Sequence, residues 1–125
     1  MTCLLDTHFL IWVLAKANRL RQFPWLDDYS PWGVSPISLL EVQIVSETGR
    51  IKLAANLANS VMTDSRFVLD EVPSVTLVRK ALGLTWTRAP FDRLIVAHSM
   101  ARKLPLCSVD ANIVENHPLI VKDLR

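Results

Sequence analysis

Strands and helices alternate along this 125-residue sequence, which predicts an α/β domain on a parallel sheet with right-handed crossovers. Three observations carry that prediction. Short apolar runs of the kind buried strands use recur at Thr2–Leu5, Trp32–Val34, Phe67–Leu69, Leu106–Val109 and Leu119–Val121. Between them lie stretches with apolar residues at helical spacing. Proline and glycine mark the junctions. The length is that of one domain. No internal repeat, low-complexity segment or linker divides the chain, so residues 1–125 are expected to form a single domain.

Each element has its own local warrant. After the first run, Asp6-Thr7 opens a helix in which Phe9, Leu10, Val13 and Leu14 recur at helical spacing. A second helical piece is expected from Asn18 to Trp25, and Pro24, Asp27-Asp28 and Ser30-Pro31 punctuate a loop. Following Trp32–Val34, Ser35 is an N-cap candidate with Pro36 at the first helical position. That helix should run to Thr48, with Gly49 ending it. Leu53 to Ser65 is expected to be helical, with Leu57, Val61 and Met62 on one side. Past Phe67–Leu69, Pro73 opens a helix carrying Val75, Leu77, Val78 and Leu82, closed by Gly83. A helix from Pro90 to Lys103 precedes Pro105 and the Leu106–Val109 run.

Composition narrows the function classes. Half the residues are hydrophobic and 21% are charged, a globular and not a disordered balance. The apolar share is high for a small domain, which leaves surface for a second copy or a bound partner chain. A net charge of +2 permits a nucleic-acid partner without demanding one. Cys3 and Cys107 lack zinc or redox spacing and are expected to be small buried hydrophobes in a reducing compartment. No signal peptide precedes Asp6, and no stretch approaches the roughly 20 apolar residues of a membrane span. The expected home is the cytoplasm.

The chemistry lies in the acids. Asp6 and Asp110 sit at the carboxyl ends of predicted strands, Glu41 early in the Pro36 helix, and Asp92 in the first turn of the Pro90 helix. Open α/β sheets bind ligands at the carboxyl ends of their strands, and element order puts all four acids there. Each also has a structural explanation. Asp6 and Asp110 suit N-caps, Ser38 and Glu41 match a capping box, and Asp92 complements a helix dipole. Against those explanations, Glu41 falls on the stripe Ile37, Leu40, Glu41, Ile44, Val45, which predicts a carboxylate turned toward the core. Such a group is costly unless paired or bound to a cation. Gathered acids repel, and a hard divalent cation relieves that. His8, His98 and His117 show no metal-ligand spacing, and His98 is expected to be a satisfied core or interface residue. Oxygen-only ligands favour Mg²⁺ or Mn²⁺, ions used mainly on phosphates. The residues alone therefore point to metal-dependent phosphodiester chemistry.

The order Leu4-Leu5-Asp6-Thr7-His8, then Ser35-Pro36-Ile37-Ser38-Leu39-Leu40-Glu41, then Pro90-Phe91-Asp92-Arg93-Leu94-Ile95-Val96-Ala97, then Ser108-Val109-Asp110 resembles the PIN-domain ribonucleases. It looks most like the VapC-type toxins of bacterial toxin–antitoxin pairs. The resemblance implies a three-layer α/β/α sandwich with a central parallel sheet. It implies cleavage of RNA with Mg²⁺ or Mn²⁺, with Asp6, Glu41, Asp92 and Asp110 as catalytic and metal-holding positions. Thr7 and Ser108 match supporting hydroxyls. The partners it implies are RNA, a homodimeric second copy and a small inhibitory antitoxin. The helices at Asp6–Ala15 and Leu53–Ser65 offer apolar faces for such contacts. The chain departs from the pattern at Ala89, where relatives often carry an Asp, and at Ser108, where they tend to carry Thr.

For RNA contact the candidates are Arg93, next to Asp92, and Arg88 in the loop before it. Arg102 and Lys103 lie about 15 Å along the helix at 1.5 Å per residue, too far for the scissile phosphate. Lys16, Arg19 and Arg21 form a second basic cluster. Trp86 is expected to pack and not to stack on a base. An endoribonuclease toxin is the favoured function. The alternative is a catalytically weak PIN-like module that binds RNA or protein without cutting. A different α/β phosphotransfer or receiver-type domain fits less well, since Glu41 would have no role.

Overall fold

The computed structural model describes residues 1–51, 53 and 56–125. An all-parallel four-stranded sheet, ordered β3-β2-β1-β4, carries β1 (Leu4–Leu5), β2 (Trp32–Val34), β3 (Phe67–Leu69) and β4 (Leu106–Cys107). Leu4 stands opposite both Gly33 and Leu106, and Gly33 opposite Val68. All four strands lie inside the predicted apolar runs. β4 stops short of Val109 because the Ser108 hydroxyl accepts from the Asp110 N–H at 3.2 Å, a side-chain turn that diverts the backbone from the ladder. The expected strand at Leu119–Val121 is only a parallel bridge from Leu106 to Ile120. Pro118 before it and a 3₁₀ turn at Lys122–Leu124 after it leave no room for more.

The helices are α1 (Thr7–Ala15), α2 (Pro36–Glu47), α3 (Leu57–Thr63), α4 (Ser74–Leu82), α5 (Pro90–Arg102) and α6 (Ala111–Asn116). α1, α2, α4 and α5 start where their signals stand. Ser35 caps α2, its hydroxyl accepting from Ile37 N–H at 3.2 Å. The expected helix at Asn18–Trp25 is instead a 3₁₀ turn over Asn18–Gln22, with a second at Leu26–Tyr29; Pro24 interrupts any longer ladder. α3 begins four residues later than the predicted Leu53, and residues 54 and 55 of that stretch lie outside the described residues. α6 has no counterpart among the expected helices: with six residues and only Ile113 buried, it shows no apolar period.

Side chains alternate across a strand, and the core divides accordingly. Cys3, Leu5, Trp32, Val34 and Cys107 face one way, onto Phe9, Leu10, Val42, Leu57 and Val61. Leu4 and Leu106 face the other way, onto Leu77, Ala81, Ile95, Val96 and Ile113. Helices α1–α3 thus cover one face of the sheet and α4–α6 the other, giving the three-layer α/β/α sandwich. Both cysteines are free and fully buried, and burial pushes the Cys3 thiol up to about 12.

Two expectations about helix faces are corrected. The α2 stripe faces the core only at its edges: Ile37 and Val45 pack against it, whereas Leu40 is 53% and Ile44 42% exposed. Its buried side runs through Ser38 and Val42, so a polar residue takes a core-facing position that its type does not predict. The α1 face offered for partners is likewise spent on the core, with Phe9, Leu10 and Val13 buried. Exposed apolar side chains instead line α4 at Val75, Val78 and Leu82.

Candidate functional site

The chain passes from β1 to β2 and β3 on one side of the sheet, then returns to place β4 on the other side of β1. The strand order therefore reverses between β1 and β4, the location where open α/β sheets form their crevice. Asp6 follows β1 and Asp110 lies three residues beyond β4. α2 brings Glu41 to the same place and α5 brings Asp92. All four line one cavity together with Thr7, His8, Ile95 and Ile113. Its free volume is about 10 Å³, room for roughly one water-sized sphere.

Two of these acids are caps as well as cavity groups. Asp6 Oδ1 accepts from Phe9 N–H at 2.9 Å, and Asp110 Oδ1 accepts from Ile113 N–H at 3.0 Å. Capping and ligand binding are compatible, because a carboxylate has two oxygens and about four acceptor positions. The proposed Ser38–Glu41 capping box does not form. Ser35 is the cap, Ser38 Oγ is buried without a hydrogen-bond partner among the described residues, and Glu41 Oε1 accepts from Thr7 Oγ1. Thr7 thereby holds the Glu41 carboxylate in place. Ser108 is fully buried and accepts from the Asp110 backbone N–H; its hydroxyl also favours the charged form of Asp6.

The electrostatics are those of crowded carboxylates. Burial raises the Asp6 carboxyl to about 6, against the pull of the Phe9 N–H, the Ser108 hydroxyl and His8. Asp92 is also raised, first by burial and then by the charges of Asp110 and Glu41, with His8 opposing. The repulsion and the oxygen-only donor set fit a divalent cation. As the side chains stand, no three His, Cys, Asp or Glu groups among the described residues are drawn together tightly enough to hold one.

The two arginines are not in the cavity lining. Arg93 is half-buried and its Nε donates to the Thr87 carbonyl at 2.6 Å, bracing the loop before α5. Arg88, in that loop, is exposed. His8, which the motif contains but the site assignment leaves out, is exposed beside the acids and tilted against Trp12 at 6.2 Å between ring centroids. Its one signal was adjacency to Asp6-Thr7. His98 is buried and bonded to Asp70, its Nε2 2.8 Å from Oδ2, as its place on an apolar helix predicts. Trp86 packs half-buried against the α4–α6 core.

No helix among the described residues is long and apolar enough to cross a membrane. No curated protein matches the chain significantly. Among solved structures, one described as a toxin–antitoxin complex from Klebsiella pneumoniae aligns with a TM-score of 0.64 at 18% identity, covering 96% of each chain. That likeness is one of fold. The model of the PIN domain family matches residues 3–116, nearly the whole of the sheet, its helices and all four acids. The chain belongs to the PIN domain family.

Proposed function

We propose that this PIN domain is a metal-dependent endoribonuclease, and that it acts as a toxin restrained by a small antitoxin. PIN domains are characteristically nucleases, and the observation that carries the finer reading is the convergence of Asp6, Glu41, Asp92 and Asp110 from four separate elements on one small cavity at the switch point. Mg²⁺ or Mn²⁺ would be held by these carboxylates. When bound, such an ion makes a hydroxide nucleophile available near neutral pH and stabilises the leaving oxygen.

The remaining work falls to the chain. Thr7 fixes the rotamer of Glu41. Ser108 fixes the turn that leads from β4 into Asp110 and α6. Arg93 holds the loop that presents Arg88, whose exposed guanidinium suits a phosphate. His8 adds a donor at the rim. The toxin reading draws support from the Klebsiella pneumoniae toxin–antitoxin complex with the same fold. A homodimer is supported by the exposed α4 stripe of Val75, Val78 and Leu82, which a second copy would cover.

The test is cleavage of RNA with Mg²⁺, Mn²⁺ or EDTA, using wild type, Asp6→Asn and Asp92→Asn, with growth followed on expression. Metal-dependent cutting and growth arrest that both substitutions abolish is the expected result. Equal cutting by both variants would sink the metal-site assignment. RNA binding without cleavage under any metal would establish the non-cutting module instead.

A further inference from the structure

A second cavity, of about 230 Å³, opens where β2 and β3 end, and its lining includes Ile37, Glu71, Val72, Ser74, Leu77 and His98. It is smaller than the roughly 300–1,000 Å³ of drug-sized ligand sites and suits a single planar ring. We propose that it receives one base of the substrate RNA and prefers a base bearing an amino group over uracil.

Position supports this. The cavity lies at the same end of the sheet as the acids, one strand over. Ile37 lines it, while Glu41, one turn further along α2, lines the acid cavity. Residues four apart on a helix share a face with Cβ atoms about 5–6 Å apart. The two cavities are therefore neighbours along α2, close enough for one to hold a base while the other holds an adjoining phosphate.

The lining supports it too. Ile37, Val72 and Leu77 supply apolar contact for the ring faces. His98 is 1% exposed, and its Nε2 is committed to Asp70 Oδ2 at 2.8 Å. Arg102 Nε bonds the same oxygen at 2.9 Å, so the carboxylate that holds the ring is itself held. The ring is thereby fixed in orientation at the wall of the cavity it lines. A buried imidazole locked by a paired carboxylate at the wall of a cavity is a prepared contact. Glu71, exposed at the mouth, is an acceptor-only group when ionised. It can receive an exocyclic amine, as acidic side chains do from cytosine N4, whereas uracil offers it one N3–H flanked by two carbonyl oxygens that repel a carboxylate.

The inference rests on the ribonuclease reading, and its test separates the two. Full-length protein carrying Asp92→Asn is titrated with fluorescent RNA hexanucleotides that differ at one base. Asp92-intact protein is used in parallel to map cleavage ends with Mn²⁺. Binding and cleavage should favour an amino-bearing base at one fixed position by about tenfold over uracil. Glu71→Gln, and Ser74→Trp at the exposed lip, should bring that ratio close to one while the melting temperature stays unchanged. An unaltered ratio in both variants, or no base preference in the parent, overturns the base site and leaves the cavity to a protein partner. Absence of both binding and cleavage for every RNA overturns the ribonuclease reading with it, whereas cleavage without base preference overturns the base site alone.

Discussion

Thr7 Oγ1 donates a hydrogen bond to Glu41 Oε1 across 34 residues of sequence. This bond ties the first turn of α1 to the second turn of α2 and sets the direction of a carboxylate that otherwise has no described partner. Groups that orient metal ligands in this way typically contribute 10–100-fold in metal affinity or activity. Thr7→Ala should therefore raise the Mn²⁺ concentration for half-maximal cleavage by about 10–100-fold, and Thr7→Ser should restore most of it. A metal titration unchanged by Thr7→Ala would show that Glu41 is positioned by something else.

Asp6 and Asp92 should be more sensitive still. If a residue supporting a ligand is worth 10–100-fold, a ligand itself should be worth at least about a hundredfold. Asp6→Asn and Asp92→Asn remove one charge each and keep the shape, and Asp6→Asn also keeps an oxygen to cap Phe9 N–H. Single-turnover cleavage rates check this, with circular dichroism showing an intact fold.

The pH dependence of stability without metal follows from Asp6. Its folded pKa is about 6, above the ordinary 3.8, so between those values the folded state binds more protons than the unfolded state. Stability from this group is full below the lower value and is lost as pH rises through the upper one. The cost is of order 3 kcal/mol for a shift of about two units. His117 acts in the opposite sense: burial lowers its pKa below 6.5, so its contribution falls as pH drops through that range. The comparison that isolates Asp6 is Asp6→Asn against wild type in EDTA. Their difference in unfolding free energy should grow in favour of the variant from pH 4 to pH 7, and Mg²⁺ should shrink it. A difference that is flat across that range would show that Asp6 is not raised.

Ala89 is the N-cap residue of α5 and makes no side-chain cap bond. Ala89→Asp supplies an acceptor for the first free N–H groups and a favourable charge at the helix dipole. A gain of about 1 kcal/mol is expected, or roughly 3–5 °C in melting temperature for a domain of this size. If the acid also adds to the neighbouring cluster, half-maximal activity will come at lower Mg²⁺. A stability gain with an unchanged Mg²⁺ requirement would assign position 89 to capping alone.

Much of this was local enough to be legible in the order of residues. Apolar runs too short for helices had to be strands, and those at Trp32–Val34 and Phe67–Leu69 have the predicted bounds. Ser35-Pro36 and Pro90 marked helix starts because capping chemistry acts within a turn. Alternating strands and helices force parallel pairing, so the acids after β1 and β4 had to share one end of the sheet. What lay beyond reach depended on through-space packing. Periodicity did not show that the fully buried positions of α2 would be Ser38 and Val42 while Leu40 and Ile44 met solvent. α6 exists because Asp110 caps it and Ile113 finds the core, and six residues carry no period.

The feature at the centre of the molecule shows the same division. That Asp6, Glu41, Asp92 and Asp110 belong together was readable from their positions at strand ends and helix starts. That Thr7 clamps Glu41, that Arg93 turns away to hold the Thr87 carbonyl, and that His8 stands at the rim required the folded chain. A hydrogen bond depends on distances of a few tenths of an ångström between segments far apart in sequence, and only the packed sheet and its helices set those.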